Sequence, residues 1–441
     1  MNINSCLKKI ILNKKKIFTL LLIILSTNLS CNFEKKDIPR EILYWSSNNN
    51  EEISFARFIT NEWNKRNLEL KVHFQPVPEG QSSEEIILAA VVGKTTPDVY
   101  SNMWQGDVET YAQAGVLVAL DTLNGFIQFL NERCDSWTVK EVTSKDGHIY
   151  QIPWKINPIM MIYNKKILKE LGLTSPPQTY SEFLEAAKRF KKDNNNDGYT
   201  DQWIGYTEVH TTWWQRLFDF YPLYLAASNG ASLIQNDKAV FNNVHALQVF
   251  EFLRELYKKE YFPKERISAR QDPFLSSTIA TRFTGPWEIS HAEKFKPTDF
   301  EYSFQTMPVP NEHSGPIFTY GDPKNIIVFK SSVDPNKILK FLKYFLSEEN
   351  DLKLIEMTNQ LPRRKNIDKN PVFANYFTKN PLMLRFAHQA NYVKGTDVSV
   401  ILKEVFDIIS QEYEACVIYG VKTPKEALKD AERAVNLLFI K

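Results

Sequence analysis

The stretch from Gly147 to Leu168, GHIYQIPWKINPIMMIYNKKIL, constrains this chain more than any other. Asp146-Gly147 is a tight-turn pair, because both residue types tolerate turn backbone that others avoid. Ile149, Tyr150 and Ile152 then give a short β-prone segment. Pro153 and Pro158 bracket Trp154-Lys155-Ile156-Asn157. A proline has no N–H to give to a ladder, so strand pairing is expected to break there. A second apolar run, Ile159 to Tyr163, follows, and Asn164-Lys165-Lys166 can open a helix. Two strands joined through a kink, with an aromatic ring at the kink, suit a chain crossing from one lobe to another. An ordinary core strand followed by a surface loop fits the same residues.

The flanking pattern is α/β. Ile42 to Trp45 is β-prone and ends in the polar loop Ser46 to Asn50. Phe55, Phe58, Ile59 and Trp63 recur at helical spacing. Leu70, Val72 and Phe74 alternate as in a strand, Ser82 or Ser83 can cap a helix ending at Gly93, and Pro97-Asp98-Val99-Tyr100 starts a third strand. Strand, helix, strand, helix, strand implies a lobe with a largely parallel sheet. The remainder reads as mainly helical. Thr179 to Glu182 is a capping box, residues 244–259 are amphipathic, and Asp334-Pro335 and Thr423-Pro424 each open a helix. Ala280 to Phe283 and Asn325 to Phe329 look like further strands. The chain has 441 residues, enough for two or three domains.

The first 30 residues differ in kind. They hold five lysines and no acid, and Ile17 to Leu25 is apolar except for Thr19. That run is far shorter than the roughly 20 residues of a spanning helix, and a basic head with a short apolar middle describes a secretory signal. Ser30 precedes Cys31, as in a lipoprotein signal whose cysteine is acylated, although Asn28 stands where such signals carry an aliphatic residue. Plain secretion with cleavage nearby is the alternative. The whole chain has 54 basic and 52 acidic side chains; with the five lysines gone, acids exceed bases by three. Nothing here asks for a nucleic acid as partner. Cys134 and Cys416 remain in the mature part; spacing alone leaves a bond between them open and excludes a cysteine zinc motif.

Nine segments in order carry a resemblance. They are LYWSSNNN, EEIILAAVVGKTTPDVYSNMWQGDVETYAQAGVLVALD, GHIYQIPWKINPIMMIYNKKIL, PPQTYSEFLEAAKRF, DNNNDGYTDQWIGY, TGPWEIS, VDPNKILKFLKYFLSEEN, LPRRKNI and TPKEALKDAERAV. Together they resemble the extracellular solute-binding proteins of carbohydrate uptake (family 1), the receptor subunits of ABC transporters. The resemblance implies an α/β, two-lobed, type II periplasmic-binding-protein-like fold with three crossover segments. After a signal at 1–30 and a lipid-anchored tether at 31–40, it places lobe one at about 37–157 with 289–345, and lobe two at about 158–288 with 346–441. The opening stretch is then the first crossing, Gly285-Pro286-Trp287 the second, and the third falls near Tyr344 to Asn350. It implies a monomer that binds a sugar or oligosaccharide in the interlobe cleft, delivers it to ABC permease subunits, touches the membrane only through its lipid, and needs no cofactor.

A sugar offers apolar ring faces and hydroxyl edges. Indole or phenol rings cover the former; carboxylates, amides and guanidinium groups read the latter. Trp45, Trp104, Trp154, Trp213, Trp214 and Trp287 fall at loop ends, with Asp107, Asn157, Glu288, Asp322 and Arg363 as polar neighbours. Of Trp213 and Trp214, one is expected to face in and one out. Asp193 to Gly198 fits the start of a calcium loop, with Asp193, Asn195, Asp197, Tyr199 and Asp201 as ligands, but Ile204 stands where the closing Glu belongs. A polar turn explains the same residues. The rivals are a secreted carbohydrate-active enzyme and an adhesive surface lipoprotein. An enzyme of that kind needs two carboxylates about 5 to 10 Å apart, and no pair stands out. The seven histidines form no HExxH, and GxSxG is absent.

Overall fold

The computed structural model describes residues 41–440 apart from 78–81, 268–270 and 333. The expected signal, Cys31 and the tether lie outside the described residues. The strands of the first half are β1 (Ile42–Ser46), β2 (Val72–Pro76), β3 (Val99–Trp104), β4 (Gln151–Ile156), β5 (Met160–Asn164), β6 (Trp203–Gly205), β7 (Ile234–Gln235) and β8 (Lys238–Ala239). Those of the second are β9 (Ile279–Thr284), β10 (Tyr302–Gln305), β11 (Thr319–Tyr320), β12 (Lys324–Val328), β13 (Leu361–Pro362) and β14 (Val393–Lys394).

Two larger sheets organise the molecule. The first runs β13-β4-β12-β3-β1-β2, the second β10-β5-β9-β6. β1 is parallel to β2 and β3, but β12 is antiparallel to both its neighbours and β13 to β4. The first sheet is therefore mixed where a largely parallel one was expected, because β12 enters from the other lobe and inserts between β3 and β4. Pairing also survives Pro153. β4 runs through it, and the ladder with β12 shifts register between Lys324 and Asn325, the residue opposite Pro153. A bulge absorbs the missing donor.

Local signals explain most helices. Asn49 caps the helix Asn50–Arg66 by accepting from Glu52 N at 3.0 Å, and Phe55, Ile59 and Trp63 are its buried stripe. Phe58, expected on that stripe, is exposed. The capping box at Thr179 forms, and Thr423, ahead of Pro424, makes a second one with Glu426. The helix Pro335–Phe345 starts from its Asp334 cap and buries Ile338, Phe341, Leu342 and Phe345. These rings pack with Phe55, Trp63 and Trp154 under the first sheet. A larger core in the second lobe gathers the helices Phe220–Ala227, Val244–Lys258, Leu402–Tyr413 and Pro424–Leu438.

The chain leaves the first sheet at β4 and enters the second at β5, so Asn157-Pro158-Ile159 is a crossing, as the opening stretch suggested. The return differs from expectation. Trp287 opens a helix, Trp287–Phe295, that packs under the second sheet through Ala292, and β10 then pairs with β5. Residues 289–305 thus stay with the second sheet, because β5 needs a partner on its other edge. The return passage runs through β11 to β12. At the third place, the helix Glu348–Thr358 puts Leu354 in the first core and Ile355 in the one beneath the second sheet, and β13 still pairs with β4. That passage is spread over 348–363 instead of confined to Tyr344 to Asn350.

A buried ion pair locks this junction. Arg133 and Asp351 have side chains 1% exposed and meet at 2.6 Å. Arg133 also donates to the carbonyls of Pro153, Trp154 and Leu346, each at 3.0 Å, and Arg364 Nε reaches Asp351 at 2.9 Å. Nearby, Glu52 pairs with buried Lys155 and accepts from Ser47 Oγ at 2.7 Å and Gln360 Nε2 at 2.8 Å. Cys134 and Cys416 are both free and buried, in different cores, so they are not bonded to each other.

Asp351→Ala leaves the Arg133 guanidinium buried without its counter-ion and is expected to cost about 3–5 kcal/mol, read as a lowered urea midpoint. Burial pushes the Glu52 carboxyl up, but Lys155 and the hydrogen bonds outweigh it and hold the carboxyl below its ordinary range. Its stability contribution is therefore present above the unfolded value and lost as pH falls through the folded one. Acid melts of Glu52→Gln should show less loss of stability below about pH 4.5 than the parent protein.

Candidate functional site

β3 ends on Trp104 and turns at Gln105–Asp107 into the helix Val108–Gln113. A Cβ at Gly106 would run into the Trp104 ring, so only glycine lets the indole fold back over this turn. Trp104 Nε1 donates to Tyr320 Oη at 3.0 Å, and Tyr320 Oη lies 3.4 Å from Asp322 Oδ1. Asp322 itself has φ +36°, a left-handed backbone that a non-glycine residue holds only when its surroundings demand it.

The second lobe answers with its own aromatic group. The short turn Trp213–Leu217 sets the Trp213 ring 4.8 Å from that of Trp104, at 44°. Phe218 stands edge-on to Tyr320 (6.3 Å), Trp214 (6.4 Å) and Trp287 (6.2 Å). Lys403, from the helix Leu402–Tyr413, places Nζ 5.7 Å from the Trp104 ring and 5.4 Å from that of Trp213. The same Nζ pairs with Asp107 Oδ1 at 2.7 Å, which ties the two lobes across the cleft.

Most of these groups wall an interlobe cavity of about 810 Å³, with Tyr320 and Trp287 packed behind the lining residues. Among its lining residues are Trp104, Asp107, Tyr111, Asp322 and Lys324 from the first lobe or its crossing, and Trp213, Trp214, Phe218 and Lys403 from the second. Burial raises the Asp107 carboxyl despite Lys403. For Lys324, burial works against the charge, but Asp322 and Glu84 prevail and hold the ammonium above its ordinary value. The arrangement offers ring faces for apolar patches and charged edges for hydroxyls.

Five of the eleven ligand residues read from sequence line this cavity: Trp104, Asp107, Trp213, Trp214 and Asp322. Both neighbours Trp213 and Trp214 do so, against the expected in–out split, because their backbone is a 3-10 turn and not a strand. Trp287, 37% exposed, lies at the edge, behind Phe218. The others are elsewhere. Trp154 is 1% exposed and stacks on Phe55 in the first core. Trp45 is buried among Tyr100, Tyr111 and Tyr150. Asn157 turns its side chain to Gln360 at 3.3 Å. Glu288 is spent on Arg282 and Thr284, and Arg363 on Glu141 at 2.5 Å. Lys403, Tyr320, Phe218 and Lys324 were missed, and no local sequence signal marks them.

The loop that fits either a calcium site or a polar turn bonds its own backbone. Asp193 accepts from Gly198 N at 2.9 Å, Asn195 from Asp197 N at 2.9 Å, Asp197 from Tyr199 N at 2.8 Å, and Asp201 from Asn194 N at 2.7 Å. The side chains of Asp193, Asn195, Asp197 and Asp201 thus satisfy the loop's own backbone. Among the described residues, no group of three or more His, Cys, Asp or Glu could hold a metal ion. Nor is any described helix long and apolar enough to cross a membrane.

Comparison with known proteins agrees with this architecture. A sequence profile of the bacterial extracellular solute-binding proteins matches residues 59–383. The sn-glycerol-3-phosphate-binding periplasmic protein of Brucella melitensis is 24% identical over 413 residues, 90% of this chain and 92% of that protein. A maltotriose-binding protein of Pyrococcus abyssi is 21% identical over 358 residues, 76% of this chain and 70% of that one. Among solved structures, the cyclic alpha-maltosyl-1,6-maltose binding protein of Arthrobacter globiformis superposes with a TM-score of 0.76 at 20% identity, over 91% of this chain and 99% of that one. Two lobes around an aromatic cleft, and a family match across most of the chain, make this protein a member of the bacterial extracellular solute-binding proteins, binding proteins that act outside the cytoplasm.

Proposed function

We propose that this chain is the receptor of an ABC importer and holds a sugar or oligosaccharide between its lobes. The observation that carries the reading is the meeting of aromatic rings from both lobes in one cavity of about 810 Å³. Trp104, Trp213, Trp214 and Phe218 cover ring faces, while Asp107, Asp322, Lys324 and Lys403 read hydroxyls. Ligand that touches both lobes at once favours the closed arrangement and so shifts an open–closed equilibrium. The permease subunits then recognise the closed form. Cys31 carries the lipid that keeps the protein, as a monomer, at the membrane surface. The wall is arranged for binding, and no catalytic step is assigned to it.

Incubation with a glycan panel tests the reading. Unchanged glycan with a raised melting temperature marks a receptor; a cleaved glycan marks an enzyme; neither effect leaves adhesion. For a glycan that binds, Trp213→Ala should cost about 1–3 kcal/mol through the lost ring contact, on the order of 5- to 150-fold in Kd. Trp154→Phe should lower the melting temperature and leave Kd within a few-fold. Cys31→Ser should move the protein from the membrane to the soluble fraction; retention in membranes would refute lipid anchoring.

A further inference from the structure

The two relatives above are named for ligands that differ first of all in charge, a glycerol phosphate and a neutral trisaccharide. The wall of this cavity bears on that difference. It carries five carboxylates: Glu84, Glu85, Asp107, Asp322 and Glu404. Against them stand two ammonium groups, Lys324 and Lys403, with no arginine or histidine among the described lining residues. The excess is three negative charges. Each lysine already faces a carboxylate that offsets its charge. Lys403 is bound to Asp107 at 2.7 Å, and Lys324 lies 3.5 Å from Asp322. Glu84, Glu85 and Glu404 enter no ion pair among the described residues.

Three helices start at the wall, and each brings its own carboxylate there: Glu84 and Glu85 on Ser83–Gly93, Asp107 just before Val108–Gln113, and Glu404 on Leu402–Tyr413. The helix Ser83–Gly93 turns its start towards the cavity through Ser82, Glu84 and Glu85. A helix N-terminus attracts anions through its free N–H groups. Here the Ser82 hydroxyl already accepts from Glu85 N at 3.1 Å, and the two glutamates supply the negative charge in the first turn. A phosphate monoester brings about −1.5 to −2 charges at neutral pH. It would leave water for a wall of its own sign, in which Asp107 is buried, Glu84 half-buried and Glu85 and Glu404 exposed; the repulsion is strongest at the buried and half-buried acids and is screened by salt at the exposed ones.

We propose that this cavity accepts uncharged glycans and excludes sugar phosphates and glycerol phosphate. The inference rests on reading the cavity as the ligand site. Its test is titration calorimetry of the mature protein with neutral gluco-, galacto-, manno- and xylo-oligosaccharides, each beside its monophosphate, and with sn-glycerol 3-phosphate. A neutral member should bind, and its monophosphate on the order of 100-fold more weakly, a gap that narrows at high salt. The triple variant Glu84→Gln, Glu85→Gln, Glu404→Gln should narrow that gap about tenfold at low salt and leave neutral binding within a few-fold. A monophosphate that binds as tightly as its parent overturns the charge filter and leaves the sugar receptor standing. An unchanged gap in the triple variant, still folded by its melting curve, also overturns it. Binding of glycerol 3-phosphate alone overturns both readings, and binding of nothing on the panel removes the receptor reading and this inference with it.

Discussion

Three passages of chain lie side by side where the lobes meet, and the backbone bonds between them set everything else. Asn157 N donates to Gly321 O at 2.5 Å and Ile159 N to Tyr320 O at 2.9 Å, while Gly321 N donates to Lys394 O at 2.9 Å. Thr319 Oγ1 adds a bond to Ile159 O at 2.6 Å. These passages approach closely. A Cβ on Gly321 would come within 2.6 Å of the Ile156 side chain, so a larger residue there would push the strands apart. Because β4 and β12 run straight out of this bundle into the first sheet, and β5 into the second, its geometry aims both lobes.

The cleft inherits its form from that bundle. Tyr320 belongs to one of the bonded passages, yet its hydroxyl receives Trp104 from the first sheet and its ring faces Phe218 from the second lobe. Asp322 and Lys324 follow within the same few residues. Hydrogen-bonded backbone therefore carries the floor of the cavity, while Trp213, Trp214 and Lys403 come from elements of the second lobe. Side chains divided in this way between floor and far wall are what a closing clamp requires. The Arg133–Asp351 pair, with Arg364 beside it, steadies the junction from the opposite side.

Charge follows a different logic in the two places. At the junction each buried ion is matched by a counter-ion or by carbonyls, as burial demands. In the cavity acids outnumber bases, a state that partial hydration sustains.

Local signals in the sequence were sufficient for the elements. The caps at Thr179, Asp334 and Thr423, the stripe of the helix Pro335–Phe345 and the crossing after β4 depend on neighbours a few residues away, and those were legible. Aromatic residues near loop ends were legible as candidates, but their fates were not. Trp154 looked like a cleft residue because prolines flank it, yet the bulge at Pro153 keeps it in a strand whose inward face is core. Trp104, at the end of another strand, reaches the cavity because Gly106 lets its ring fold back. Tertiary structure alone decided the cavity's charge. Asp107 and Lys403 are 296 positions apart, and no periodicity or motif relates them. Only the return of the last helices to the cleft brings that ammonium onto the carboxylate and the two indole rings.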